Sequence, residues 1–202
     1  MLTRRHLVVS MLALSAAGCA APREPVFALQ SSVETKRDQK SEGIMVLGIV
    51  LRHDPPYANL FENKYQIISW VFDDDPIRFH RLVVDHIYHG NEIAWNAATD
   101  GDDAPLLFTP VLRKTLGCTQ GCTFHEVFGA VIEDGVLGGA LNQGFPVRFN
   151  SRRGRTMTIQ VTPAQIQAQL DAYDRLWAQR WGQVTSQDGQ RRRDRSRAPS
   201  HR

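Results

Sequence analysis

The chain has 202 residues, of which 42% are hydrophobic and 22% are charged, and its formal net charge is +3. This composition excludes an intrinsically disordered chain, and the hydrophobic residues are too interrupted for a polytopic membrane protein. The length suggests a single folded domain, and three cysteines are too few for a disulfide-rich scaffold.

The N-terminus has the layout of an export signal. Arg4 and Arg5 precede an uncharged, largely apolar run at residues 7–17, which is shorter than the roughly 20 residues that span a bilayer. Small residues and then a cysteine follow, as Ala16-Ala17-Gly18-Cys19. This segment resembles the lipobox of bacterial lipoproteins.

The resemblance implies that residues 1–18 are a signal peptide, removed before Cys19, whose thiol receives a diacylglyceryl group and whose new amino terminus is acylated. Alanine rather than aspartate follows Cys19, which in enteric-type bacteria implies transfer to the outer membrane. Two or three acyl chains anchor a protein firmly, so we expect the lipid bilayer as a partner and the periplasmic face of the outer membrane as the location. The alternative is an ordinary secretory signal cut between Ala17 and Ala21.

Composition divides the rest of the chain. Residues 19–43 are polar with mixed charge and two prolines, which predicts a flexible tether behind the acylated cysteine. Residues 44–182 form the predicted globular domain, and residues 183–202, with six arginines against two aspartates, form a predicted disordered basic tail. Because the excess basic charge lies at the two ends rather than on the domain, the sequence argues against nucleic-acid binding.

Apolar runs predict the first elements of the domain. Residues 44–51 read as one buried strand and residues 65–72 as a second. The aspartates at 73–75 followed by Pro76 predict a turn, with calcium binding as the alternative. Residues 77–95 fit a strand or a helix, and residues 96–105 read as a loop.

The second half of the domain has clearer patterns. Residues 123–132 predict a strand, and residues 136–142 a short helix or turn. A hairpin follows, because apolar residues alternate with polar ones on both sides of a loop at residues 151–155 that contains Gly154; the alternating residues are Phe145, Val147, Phe149, Met157, Ile159 and Val161.

A helix is predicted from Pro163 onward. Thr162 is suited to the N-cap position and Gln165 completes a capping box. An apolar stripe for packing on the sheet then follows at Ile166, Leu170, Tyr173 and Trp177. The predicted fold class is α+β: a largely antiparallel β-sheet packed by a C-terminal amphipathic helix.

The two internal cysteines carry the most informative motif. Cys118 and Cys122 are separated by three residues, and in an oxidising compartment such a pair predicts a disulfide. With His125 they also form a C-x3-C-x2-H pattern, whose thiolates and imidazole suit copper(I) or zinc. A disulfide and a metal site are alternative uses of the same sulfurs.

Arginines and histidines supply further candidates. Arg148, Arg152, Arg153 and Arg155 surround the hairpin loop, and guanidinium groups there suit phosphate or carboxylate anions. His80, His86 and His89, with Asp85 among them, form a second possible metal cluster.

No catalytic constellation is assembled in the sequence. We therefore expect a non-enzymatic envelope interaction or assembly module without a cofactor, with an envelope protein, peptidoglycan or lipopolysaccharide as its partner. The alternative is a copper- or zinc-handling lipoprotein that uses Cys118, Cys122 and His125. A third hypothesis is a hydrolase of envelope material that uses His125 and Glu126.

Overall fold

The computed structural model describes residues 28–30, 32–38, 43–53 and 63–196. The predicted signal peptide and Cys19 lie outside the described residues. The strands are β1 (Ala28–Gln30), β2 (Glu34–Asp38), β3 (Gly43–Leu47), β4 (Val50–Arg52), β5 (Lys64–Phe72), β6 (Phe79–Gly90), β7 (Trp95–Thr99), β8 (Pro105–Leu106), β9 (Phe108–Cys118), β10 (Cys122–Ile132), β11 (Phe145–Ser151) and β12 (Thr156–Val161). The helices are α1 (Asp134–Gly139) and α2 (Pro163–Ser196).

The strands form two antiparallel sheets. The first sheet has the order β1-β4-β5-β6-β10-β9, with β3 also paired to β5 and β2 to β3. The second sheet has the order β12-β11-β7-β8. The predicted α+β fold, a largely antiparallel sheet with a C-terminal helix, is confirmed.

The main core lies between the two sheets. Every second side chain along β5 and β6 is buried, because successive side chains of a strand point to opposite faces. Ile67, Leu82 and Phe128 from the first sheet are buried in one cluster with Val147 and Ile159 from the second. We call the face of each strand that meets this cluster its inner face.

The predicted hairpin of β11 and β12 is confirmed, and it supplies the second sheet's share of the core. Phe145 pairs with Val161 and Val147 with Ile159. The connecting loop turns at Gly154, whose φ of +74° is a left-handed conformation that glycine adopts without strain.

Helix α2 packs on the first sheet as predicted. Its start has a capping box: the Gln165 backbone N donates to Thr162 Oγ1 at 3.2 Å, and the Thr162 N donates to Gln165 Oε1 at 3.1 Å. Ile166, Leu170 and Tyr173 are buried against the sheet, with Trp177 packed beside them.

Gly48 divides the run that the sequence predicts as one strand. The Gly48 N donates to the Ile67 carbonyl at 2.8 Å, and a Cβ at this position would lie 2.6 Å from that oxygen. The backbone at Gly48, between β3 and β4, therefore contacts β5 closely. Residues 44–51 form parts of two strands rather than one.

Two other predictions differ from the structure. The predicted loop at residues 96–105 contains most of β7 and the start of β8, where Ala98 is buried. The predicted tether at residues 19–43 contains β1 and β2. Strand β2 is polar and exposed, so it lacks the apolar alternation by which a strand is recognised in a sequence.

Helix α2 extends to Ser196, past the predicted end of the domain at residue 182. Residues 183–196 are polar and rich in arginine. Glutamine and arginine favour helix even where no apolar stripe marks it.

Candidate functional site

Glu126 is the centre of a buried polar network. Strand β10 turns its side chain to the inner face, where it is 2% exposed. Its Oε1 accepts hydrogen bonds from Tyr88 Oη and from the Ala94 N at 3.1 Å, and its Oε2 accepts from the Trp95 N at 3.3 Å and Arg113 Nε at 3.0 Å. Four donors satisfy both carboxylate oxygens, which offsets the cost of burying the charge.

The segment between β6 and β7 is shaped to reach this carboxylate. Ala94 has φ of +59°, which is strained for a residue with a Cβ and turns successive backbone N–H groups toward Glu126. The Ile93 N donates to Tyr88 Oη at 2.8 Å, which fixes the phenol that binds the same carboxylate.

Arg113 and His86 extend the network in opposite directions. Arg113 Nη2 donates to the Trp95 carbonyl at 2.9 Å, so its guanidinium is held at two points at the surface. Inside, Trp95 Nε1 donates to His86 Nδ1 at 3.2 Å. This bond requires an unprotonated Nδ1, and burial lowers the pKa of His86 to about 4, against a weaker upward influence of the Glu126 and Asp85 carboxylates.

A cleft of about 370 Å³ opens beside this network. It lies between β9 and β10 of the first sheet and β7 and the β11–β12 loop of the second. Phe108, Pro110 and Phe128 contribute apolar surface, while Arg113 and Arg152 contribute guanidinium groups.

The four arginines predicted to bind anions divide into two groups. Arg148 forms an ion pair with Asp103, so its charge is already neutralised. Arg152 lines the cleft, and Arg153 and Arg155 are exposed in the same loop. Within the part of the chain that the structure describes, these last three guanidinium groups have no hydrogen bond or ion pair.

The predicted C-x3-C-x2-H residues are not gathered around one point. Cys118 and Cys122 form a disulfide with an S–S distance of 2.12 Å. Cys122 and His125 are three positions apart on β10 and so turn to opposite faces, and His125 Nε2 bonds Asp85 Oδ1 at 2.7 Å. The sulfurs are used in the disulfide, and no group of three metal-binding side chains occurs among the described residues.

The three histidines of β6 are likewise separate. His80 and His86 turn inward and His89 outward, and His89 contacts Thr123 and the Gln120 carbonyl. Of the predicted acidic turn, Asp75 Oδ1 accepts from the Ile77 N at 3.1 Å, which is a turn-capping role. His125 and Glu126, as neighbours on a strand, also face opposite sides and do not meet at one site.

A second buried chain of hydrogen bonds joins Ser69, His80 and Asp134. Ser69 Oγ lies 2.6 Å from His80 Nδ1, and His80 Nε2 lies 2.9 Å from Asp134 Oδ1. These residue types occur in hydrolase triads, but here Ser69 and His80 are fully buried and Gln169 Nε2 donates to Ser69 Oγ at 2.7 Å. Helix α2 therefore covers the hydroxyl, and the chain of bonds fixes that helix on the sheet.

Local sequence patterns do not indicate several residues of the network. Arg113 and Trp95 belong to no recognisable motif, and Glu126 is a candidate only together with His125. A signal was present for Glu126: it alternates with Phe124 and Phe128, and a carboxylate at an inward position needs buried donors.

No family model, no curated protein and no solved structure matches this chain. Among the described residues, no helix combines the length and the hydrophobicity needed to cross a bilayer.

Proposed function

We propose that this chain is a lipid-anchored lipoprotein of the bacterial outer membrane, facing the periplasm, and that its folded domain is a non-enzymatic module that binds an extended segment of another envelope protein. The anchor rests on the lipobox-like sequence that ends at Cys19. The binding role rests on one observation, the free edge of the first sheet at β9.

Strand β9 is the last strand of the first sheet, and no described strand pairs with its outer side. Its residues 110–118 are all exposed, including Val111 at 57% and Leu116 at 49%. A long edge with apolar side chains is a template for strand addition by another chain. Lys114 is also exposed and unpaired within the described residues, which favours a segment that carries an acidic side chain.

The disulfide holds this edge in shape before binding. Cys118 and Cys122 are directly opposed in the register of β9 and β10, so their covalent bond closes the end of the hairpin. Gly121 turns with φ of +110° and packs against the His89 ring. A pre-organised edge loses less conformational entropy when a partner binds.

Replacing Cys19 with serine tests the anchor. In cells supplied with a labelled fatty acid, the Cys19→Ser variant is expected to lose all acyl label, because serine has no thiol to receive the diacylglyceryl group. Cys118→Ser is the matched control and should keep the label. Label that persists in Cys19→Ser would show that the N-terminus is not processed as a lipoprotein.

Site-specific photo-crosslinking in intact cells tests the binding edge. A photo-reactive residue at Lys114 is expected to give a discrete protein adduct, and the same residue at Val136, which is exposed on α1, should not. Leu116→Lys combined with the Lys114 probe should abolish the adduct, because it replaces an exposed apolar side chain of the edge with a charged one. An adduct that survives Leu116→Lys, or one formed equally at Val136, would contradict strand addition at β9.

A further inference from the structure

The cleft between the sheets presents cations that the protein itself leaves unneutralised. Arg152 lies on its rim, and Arg153 and Arg155 follow in the same loop. None of the three guanidinium groups has a hydrogen bond or ion pair to any described residue. Three unpaired guanidinium groups in four consecutive positions create a local positive potential that attracts an anion.

The backbone of this loop is fixed rather than loose. The Ser151 N donates to the Arg155 carbonyl at 2.9 Å, and the Arg155 N donates to Ser151 Oγ at 2.9 Å. The Arg152 N donates to the Ala94 carbonyl at 3.3 Å. The loop is thereby attached to the residue whose own N–H binds Glu126.

Glu126 consequently positions cations on both sides of the cleft. It binds Arg113 Nε directly, and through Ala94 it holds the backbone from which Arg152 projects. Arg113 uses Nε and Nη2 within the network, which leaves its Nη1 as a donor. Donors held in place before a ligand arrives bind it with a smaller entropic cost.

Apolar side chains adjoin these cations on the wall formed by β9. Val111 is 57% exposed and Leu112 is 38% exposed, and both line the cleft with Phe108. A ligand that places an anion at Arg152 therefore has apolar surface within reach for the rest of its structure. This arrangement fits an amphiphile better than a bare ion.

We propose that this cleft binds a phosphate monoester carried on an apolar body, the chemistry of a phosphorylated lipid, with Arg152 as the principal cation and Arg113 Nη1 as an additional hydrogen-bond donor. A phosphate monoester carries about −1.5 to −2 charges at pH 7 and three acceptor oxygens. That charge matches the three unpaired guanidinium groups of the loop better than a carboxylate or a phosphate diester, each of which carries a single negative charge. The proposal concerns side chains that line the cleft, whereas strand addition concerns the backbone hydrogen bonds at the outer edge of β9; Val111 contributes apolar surface to both.

Calorimetric titration of the purified full chain, kept in solution with a neutral detergent, tests the proposal. The probes are dihexanoyl phosphatidic acid, dihexanoyl phosphatidylglycerol, which has the same acyl chains on a diester, and inorganic phosphate. We expect phosphatidic acid to bind one-to-one and the other two probes to bind at least about tenfold more weakly, because each lacks one half of the recognised chemistry.

Charge-reversal variants locate the site. Arg152→Glu should weaken phosphatidic acid binding at least about tenfold, whereas Arg175→Glu, which makes the same charge change at an exposed position of α2, should leave it unchanged. Arg152→Gln provides a second variant, and far-UV circular dichroism establishes that each is folded. Equal binding of the two lipids, equal loss in both charge-reversal variants, equally tight binding of inorganic phosphate, or no binding would each overturn the proposal.

Discussion

Replacing Glu126 with alanine is expected to lower the free energy of unfolding by about 3–5 kcal/mol, because several donors lose their common buried acceptor at once. The change leaves the Ala94 and Trp95 N–H groups, the Tyr88 hydroxyl and the Arg113 guanidinium without their common acceptor. Each buried donor that loses its partner costs about 1–3 kcal/mol. Urea unfolding followed by far-UV circular dichroism at pH 7.5 measures the loss.

Two further variants serve as a control and an intermediate for this measurement. Glu133→Ala removes an exposed carboxylate that makes no side-chain cap to α1, and it should change the stability by less than about 0.5 kcal/mol. Glu126→Gln keeps one acceptor oxygen but adds an amide donor among existing donors, so it should lie between the alanine variant and the native protein. A Glu126→Ala protein as stable as Glu133→Ala would show that the network does not support the fold.

Local patterns predicted the elements that have one buried face. In β11 and β12 the apolar residues alternate regularly because Val147 and Ile159 meet the core while Arg148 and Thr158 do not. The start of α2 was equally clear, since the bonds between Thr162 and Gln165 join residues three positions apart.

Strand β6 was ambiguous between strand and helix for a physical reason. Its outer face carries Phe79, Val83 and Ile87, which are only partly buried, and its inner face carries His80 and His86. Because some outward residues are apolar and some inward residues are polar, hydrophobicity does not alternate with the two-residue period that identifies a strand. No local pattern indicates strand β9, because both of its faces are largely exposed.

The candidate site could be predicted only in part, because its bonds join distant residues. Arg152 was found from the arginine-rich loop alone. Arg113 and Glu126 are 13 positions apart and meet only through the register of β9 and β10. The ion pair that removes Arg148 from the anion-binding group depends on Asp103, 45 positions away, which no local pattern indicates.

Acid should destabilise this protein between about pH 6.5 and pH 4, because His86 is buried as a neutral imidazole. Burial lowers its pKa from 6.5 to about 4. Above pH 6.5 neither the folded nor the unfolded chain binds this proton, so the contribution of His86 to the free energy of unfolding is fully present. As the pH falls below 6.5 the unfolded chain binds a proton that the folded protein excludes, so the free energy of unfolding decreases until the pH reaches the folded pKa. A shift of this size corresponds to roughly 3 kcal/mol.

His80 acts in the same direction. Burial lowers its pKa, although its hydrogen bond to Asp134 opposes the effect. Protonation of His80 Nδ1 would also remove the acceptor of the Ser69 hydroxyl. The same hydroxyl accepts the hydrogen bond from Gln169 that attaches α2 to the sheet. We therefore expect acid to weaken the packing of helix α2 along with the Trp95 region.

His86→Gln separates this contribution from the titration of carboxylates. Glutamine retains an oxygen that can accept from Trp95 Nε1 but does not titrate, so the loss of stability between pH 7.5 and pH 4.5 should be smaller in the variant by about 2–3 kcal/mol. Urea unfolding at the two pH values measures the difference, and His89→Gln, which replaces an exposed histidine on the same strand, is the control. If His86→Gln loses as much stability on acidification as the native protein, the buried imidazole is not the source of the acid sensitivity.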